Sequence, residues 1–357
     1  MNKYKICVYA ICKNESKFIK RWYESIKEAD YIFILDTGST DNSINILNEL
    51  GINYKQKIIE PFRFDEARNE SLKMIPDDID ICISLDLDEI MTDNWYQIVT
   101  DNWDDNITRL SYIYNWSLDE NNNPLVTFYG DKIHKNKYYT WTHPVHEVLT
   151  PLNKEIKKTI NIPLINHYPD KTKSRSSYLP LLELSVKEDP LDDRNMHYLG
   201  REYMYYGKWN EAIDTLIKHL NLKSSTWKDE RCASMRFISR CYINLNRFDE
   251  ANMWLKKAIN EAPYLREPYI EMALLKSKTN EYEEVIKYSL KALELNEDNM
   301  TYIKENFTNN KNIYDLLSLG YYYTNNKEKA LFYINKAIEL DPTNDRLLVN
   351  KTLMESL

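Results

Sequence analysis

Asp86, Asp88 and Glu89 place three carboxylates within four residues, around Leu87, at the close of the apolar run Ile79-Asp80-Ile81-Cys82-Ile83-Ser84-Leu85. Carboxylates at the carboxyl end of a parallel strand stand where α/β folds bind ligands. On an extended strand Asp86 and Asp88 point the same way and repel each other unless a cation or a ligand hydroxyl separates them. Hard oxygen donors suit Mg2+ or Mn2+, and a metal held by few carboxylates leaves positions that a diphosphate completes. The competing reading is an acidic turn opening the next helix, where negative charge is also favoured. A second strand-like run ends in Leu35-Asp36-Thr37-Gly38-Ser39-Thr40-Asp41. There Gly38 permits a tight turn, Ser39 to Asp41 can cap a helix, and Asp36 faces the crevice; alone, this is a capped turn. Arg68 offers a fork for oxygen anions, with a surface helix ion pair as its alternative. His146 and His167 are of metal-ligand type, with structural histidines as the alternative, and Glu147 can accept a proton.

The elements that must position these residues change character along the chain. Up to about residue 170, short β-rich runs (YKICVYAI, YIFILD, IDICISLD) alternate with helical segments near 16–28 and 41–50, which predicts a mostly parallel sheet with crossover helices. After residue 174 apolar residues recur at the helical period, which predicts an all-α second half. A chain of 357 residues has room for two domains, and the polar stretch Pro169 to Ser174 places the junction near 172, giving domains 1–172 and 173–357. The formal charge of −8 disfavours nucleic acid as a partner. The opening MNKYKICVYAICKNE lacks a signal-peptide core, and no run of 18 apolar residues occurs, so the expectation is a cytoplasmic protein with no membrane span. The five cysteines, at 7, 12, 82, 232 and 241, read as small buried thiols of a reducing compartment.

The second half repeats itself. The segments NEAIDTLIKHL, DEANMWLKKAI, EEVIKYSLKAL and EKALFYINKAI carry Ala212, Ala251, Val285 and Ala330 in register, spaced by 39, 34 and 45 residues. Gly200, Ser239, Ala273 and Ser318 stand twelve residues earlier, Tyr203, Tyr242 and Tyr321 occupy an aromatic position, and Pro263 and Pro342 close two units. The pattern resembles tetratricopeptide repeats, with insertions in two intervals. The third unit departs from it, with Lys276 in the aromatic place and Glu297 in the proline place. Residues 344–356 are expected to cover the last apolar face.

The first half resembles the family-two glycosyltransferases of the GT-A fold, a Rossmann-like α/β architecture. The resemblance is carried by Ile11-Cys12-Lys13-Asn14-Glu15, the Asp36 turn, Phe64-Asp65-Glu66-Ala67-Arg68-Asn69, the DxD-type motif Asp86 to Glu89, Lys132-Ile133-His134-Lys135, Trp141, Val145-His146-Glu147 and His167-Tyr168. It implies an inverting transferase that uses a nucleoside diphosphate sugar, UDP by default, with Mn2+ or Mg2+. Ile11, Asn14, Asp36, Arg68, Asp86, Leu87 and Trp141 are then expected to contact the nucleotide-sugar, Asp36 through the base and Asp86 through the ribose or the metal. Trp141 and Tyr139 stack on the sugar or belong to the core. Asp88 is the expected direct metal ligand, with His146 or His167 as a further one. Glu147 is the leading base and Glu89 the second candidate. Lys171, Lys173 and Arg175 either close over the diphosphate or form a solvated linker.

The two-domain layout is similar to that of the sublancin-type peptide S-glycosyltransferases, so a peptide or protein acceptor in the repeat groove is one expectation and a homodimer through the repeats another. A lipid-linked or surface glycan as acceptor, or a non-catalytic repeat scaffold, are the rival readings.

Overall fold

The computed structural model describes residues 4–170, 178–296 and 300–356. The expected junction near 172, the basic residues Lys171, Lys173 and Arg175, and Glu297 lie outside them. The chain divides into two compact units, 1–185 with 300–302 and 186–299 with 303–357.

The first unit is built on an eight-stranded sheet. Its strands are β1 (Ile6–Cys12), β2 (Tyr31–Asp36), β3 (Asn53–Gln56), β4 (Ile81–Ser84), β5 (Glu89–Met91), β6 (Arg109–Leu118), β7 (Pro124–Lys135) and β10 (Lys157–His167), in the order β3-β2-β1-β4-β7-β6-β10-β5. The first four pair in parallel, as does β10 with β6, whereas β7 runs antiparallel to β4 and β6, and β5 antiparallel to β10. The sheet is therefore mostly parallel but mixed. β1 is buried along nearly all its length, which is why its sequence is a continuous apolar run and not an alternating one. A hairpin of β8 (Tyr139–Thr142) and β9 (Val148–Pro151) stands apart from the sheet.

Among the described residues this unit holds four whole helices, α1 (Ile19–Ile26), α2 (Ser43–Glu49), α3 (Phe64–Leu72) and α4 (Trp95–Asn102), and most of a fifth, α5 (Tyr178–Glu188). α1 buries Ile19, Trp22 and Ile26, one stripe at spacings of three and four. Trp22 also donates its indole N–H to the Leu85 carbonyl at 3.2 Å, so the helix holds the segment that leads into the carboxylates. Asn69 of α3 bonds both the N–H and the carbonyl of Trp141 at 2.8 Å, locking the β8–β9 hairpin to the helix.

After α5 (Tyr178–Glu188), the second unit is helical: α6 (Asp193–Tyr205), α7 (Trp209–Asn221), α8 (Lys228–Asn244), α9 (Phe248–Glu261), α10 (Glu267–Lys278), α11 (Tyr282–Glu294), α12 (Asn310–Tyr323), α13 (Lys327–Leu340) and α14 (Asp345–Glu355). The helices from α6 to α13 pack as consecutive pairs, followed by α14. Ala212, Ala251, Val285 and Ala330 are all fully buried, as the repeat register requires. Gly200 is small for a steric reason: a Cβ there would meet Leu216 Cγ at 2.5 Å, across the α6–α7 contact. The third pair forms despite Lys276, whose ammonium leaves the core and binds both carboxylate oxygens of Glu281. All five cysteines are buried free thiols.

Candidate active site

Strand β4 ends at Ser84, and Asp86 to Glu89 form a turn closed by the Glu89 N–H donating to the Asp86 carbonyl at 2.9 Å. This departs from the extended-strand expectation, so Asp86 and Asp88 do not share a face by alternation. They have separate partners. Asp86 Oδ1 accepts from Arg68 Nη2 and Oδ2 from Lys132 Nζ, both at 2.8 Å. Asp88 Oδ2 lies 3.5 Å from His167 Nε2, and the Asp88 carbonyl accepts from the Tyr168 N–H at 2.8 Å. The charge relief expected at the cluster is thus supplied, for Asp86, by two protein cations.

Arg68 is the centre of the arrangement. It is 4% exposed, inside the unit and not on a helix surface. Its Nε donates to Glu147 Oε1 at 2.6 Å, Nη1 to Ser84 Oγ at 3.0 Å and Nη2 to Asp86, so one rigid fork fixes three groups from three segments. Trp141 lies under the guanidinium, 4.9 Å from ring centroid to Cζ, and donates its indole N–H to Tyr9 Oη at 3.0 Å. Both Trp141 and Tyr139 are buried and belong to the same hydrophobic cluster, Trp141 against Arg68 and Tyr139 against Arg109, 4.5 Å from ring centroid to Cζ.

Glu89 is 2% exposed and fully partnered: Oε1 accepts from Tyr114 Oη at 2.7 Å and Lys132 Nζ at 3.0 Å, and Oε2 from the Asp86 N–H at 2.8 Å. Burial, with the Asp86 charge beside it, raises its carboxyl above the ordinary range against the opposing pull of Lys132. Burial acts in the same direction on Asp86, yet Arg68 and Lys132 outweigh it and hold that carboxyl far below its usual range. The carboxylates keep both Arg68 and Lys132 charged despite the cost of burial. Two neighbouring carboxyls are thereby driven apart in acidity, the pattern that assigns different protonation roles to adjacent groups.

At the neighbouring strand ends, Asp36 is fully buried. Its Oδ1 accepts from the N–H groups of Gly38 and Ser39, each at 3.1 Å, and from Gln56 Nε2 at 3.3 Å, while Oδ2 is buried with no donor among the described residues. Gly38 makes the turn possible with φ of 110°. Asn14, itself at φ 59°, accepts at Oδ1 from the Thr40 N–H at 2.7 Å and the Asp41 N–H at 3.2 Å, tying the β1 and β2 loops together. Ile11 packs against the cluster of Phe33, Leu35, Ile59 and Ala67, and the Leu87 side chain is buried in the main core.

The two histidines part company. His167 is placed by register, paired with Glu89 across β10 and β5, and its Nδ1 is 3.0 Å from the Trp116 carbonyl. A carbonyl at Nδ1 fixes a hydrogen there and turns Nε2 towards Asp88; burial opposes a charged ring, but the Asp88 carboxylate and the Trp116 carbonyl outweigh it and raise the imidazole's pKa, and the same orientation would present Nε2 to a metal. His146 has φ of 50°, and its ring stands edge-on to Tyr178, 5.8 Å between centroids. Among the described residues, Asp88, His146 and His167 do not bring their donor atoms together within 4.8 Å. Lys132, Tyr114 and Ser84 are site residues to which the sequence reading gave no role. A lysine beside the buried Ile133, inside a strand, was the available signal.

The glycosyl transferase family 2 model matches residues 7–160, which contain this arrangement except His167, Tyr168 and Tyr178. The N-terminal region is a glycosyl transferase family 2 domain. Tetratricopeptide repeat models match residues 237–264, 267–299 and 312–344, so the helical unit carries tetratricopeptide repeats. No curated protein matches the chain. Among solved structures, the chain is similar to MamA, at 21% identity over 46% of this chain and 81% of that one with a TM-score of 0.37. It is also similar to a thermophilic TPR protein of Thermus thermophilus, at 21% identity over 51% and 91% with a TM-score of 0.37. A tetratricopeptide repeat protein of Parabacteroides merdae shows 17% identity over 50% and 65%, with a TM-score of 0.40. These scores lie below 0.5, and the repeat assignment rests on the family models and the helix order. The family 2 domain supports a glycosyltransferase in general. No helix of the described residues is long and apolar enough to cross a membrane.

Proposed function

We propose that this chain is an inverting, metal-dependent glycosyltransferase that moves a sugar from a nucleoside diphosphate sugar, UDP-sugar by preference, to a peptide or protein acceptor. The observation that carries the reading is a family 2 domain whose strand-end carboxylates are differentiated: Asp36 with one buried oxygen that has no donor among the described residues, Asp86 neutralised by Arg68 and Lys132, and Asp88 facing His167 Nε2. Asp36 Oδ2 takes an N–H of the base, removing the cost of a buried acceptor without a donor. Asp88 and His167 would hold Mn2+ or Mg2+, and their oxygen and imidazole donors fit either ion. When bound, the cation supplies Lewis-acid neutralisation of the departing diphosphate. His167 is favoured over His146 because its ring is oriented by the Trp116 carbonyl.

In the displacement, the acceptor's nucleophilic atom forms a bond to the anomeric carbon as the bond to the diphosphate oxygen breaks, and the acceptor proton passes to a carboxylate. Glu147 is assigned that role because Arg68 fixes its orientation and its side chain is 11% exposed, against 2% for the enclosed Glu89. Glu89, tied to Lys132 and Tyr114, keeps Asp86 in place. The peptide acceptor rests on the repeat unit, which carries a groove of about 490 Å³ lined by Val186, Pro190, Met196, Leu199, Tyr203 and Lys218, among others.

The test is a panel of nucleotide sugars with Mn2+, scored by donor hydrolysis and by label transfer to cell-extract fractions. UDP-sugar hydrolysis that Asp88→Ala abolishes, with label in protease-sensitive material, is the expected result. Donor binding unchanged by Asp88→Ala refutes the metal assignment, and label in protease-resistant glycan refutes the peptide acceptor.

A further inference from the structure

We propose a second divalent-cation site, in the helical unit, formed by Asp193, His219 and Glu230 and suited to Zn2+. The three residues come from the first turn of α6, the last turn of α7 and the first turn of α8, and their donor atoms all lie within 4.8 Å of one another. An acidic residue at a helix start is ordinary. Two of them, from different helices, meeting one buried imidazole is a ligand set of mixed chemistry. His219 and Glu230 are buried, with His219 Nε2 3.3 Å from Glu230 Oε1, while Asp193 is partly exposed and leaves an entry path.

The groups around the imidazole fit this reading. His219 Nδ1 is 2.9 Å from Ser234 Oγ, and the same hydroxyl is 2.7 Å from His197 Nδ1. Ser234 has one proton. When it donates to His197, His219 Nδ1 must carry the hydrogen, and Nε2 then turns a lone pair towards two carboxylates. The Ser225 hydroxyl, 3.0 Å away, can donate to that lone pair, and a cation bound by the lone pair and the two carboxylates satisfies all three acceptors at once. The same hydroxyl is a further neighbour that a bound water can engage. The opposite proton order gives a plain hydrogen bond from Nε2 to Glu230, and the experiment separates the two.

Tetrahedral Zn2+ with ligands near 2.0–2.2 Å requires donor atoms roughly 3.4 Å apart. His219 and Glu230 already meet that spacing, Asp193 needs only a side-chain adjustment, and a water fills the fourth position. A borderline-soft cation suits imidazole with carboxylates. The bound ion would join three consecutive helices, α6, α7 and α8, and so staple the first repeat.

The test uses the full chain, stripped of metal and carrying Asp88→Ala to remove the proposed cation of the catalytic unit, titrated with ZnCl2 by calorimetry and followed by thermal shift. One Zn2+ equivalent that raises Tm is expected. Asp193→Ala, at a partly exposed position, and His219→Gln should each weaken Zn2+ on the order of 100-fold or more, and Ser234→Ala about tenfold by releasing the ring. Absence of a Zn2+ equivalent in the Asp88→Ala chain, or binding that Asp193→Ala and His219→Gln leave unchanged, overturns the site. Neither result bears on sugar transfer, which the donor panel tests.

Discussion

Each unit of this molecule buries a network of arginine and carboxylate side chains, and the two differ in what they leave over. In the helical unit, Arg236 and Arg240, one turn apart on α8, bind Glu271 of α10 and Glu305. Arg236 Nη1 reaches both glutamates at 2.6 Å, and Arg240 bonds all four carboxylate oxygens at 2.7 to 3.2 Å. Two cations meet two anions, and every glutamate oxygen is used. In the sheet unit, Arg68 and Lys132 face Asp86, Glu89 and Glu147, while among the described residues Asp36 retains an oxygen without a donor and the Asp88 carboxylate meets a loosely spaced imidazole. In the helical unit the leftover among the described residues is a donor, Arg236 Nε, and every carboxylate oxygen is taken, whereas a network with acceptors to spare is suited to a ligand that completes it.

The largest effect separating the two is on transfer rate. Glu147→Gln should lower kcat by about 10²- to 10⁴-fold with donor affinity kept, the range expected for removing a proton acceptor. Glu305→Gln should leave kcat within about twofold. Equal losses from both variants would erase the distinction.

Next in size is stability. Arg68→Met strands Glu147 and leaves Asp86 to Lys132 alone, which should cost about 3–5 kcal/mol in chemical denaturation, whereas Arg236→Met leaves Arg240 on both Glu271 and Glu305 and should cost less. The double variant Arg236→Met with Glu271→Leu should recover much of that loss, since a buried pair replaced by apolar groups is near neutral. In the sheet unit, Arg68→Met with Glu147→Leu should remain inactive whatever stability it regains.

A smaller effect is pH-dependent and falls on both units. His134, which takes a hydrogen bond from Tyr9 Oη at its Nε2, and His197 are buried neutral imidazoles, pushed down by burial to about 4 and about 3. The unfolded chain, with histidine near 6.5, binds protons that the folded chain does not, so stability is full above about pH 6.5 and falls as pH drops towards those values. At pH 5 each should cost about 2 kcal/mol. His134→Gln and His197→Gln should each flatten the acid limb of a urea-midpoint profile, and an unchanged slope in either counts against its neutral burial.

The smallest effect probes helix packing. Gly200→Ala should destabilise the helical unit by about 1–3 kcal/mol, because the added methyl meets the Leu216 side chain. A thermal scan showing no loss would mean that α6 and α7 can separate without penalty.

Local pattern made much of this molecule legible in the chain itself. The buried β1 and β4 runs follow from continuous apolar stretches, the Gly38 turn from glycine's freedom at positive φ, the helices from spacings of three and four, and the repeat register from Gly200 to Ala330 from recurrence of the same residues at 34 to 45 positions. Their likeness to a transferase domain joined to repeats followed from order along the chain. Contacts between distant elements were not legible. Lys132 enters the carboxylate cluster because β7 runs antiparallel to β4, His167 reaches Asp88 because β10 pairs with β5, and Trp141 turns inward because its indole bonds Tyr9. Sequence spacing determined which residues share a face. Strand order, register and the need to partner buried polar groups decided which faces meet, and those are properties of the whole sheet, whose pairings join segments far apart in the chain.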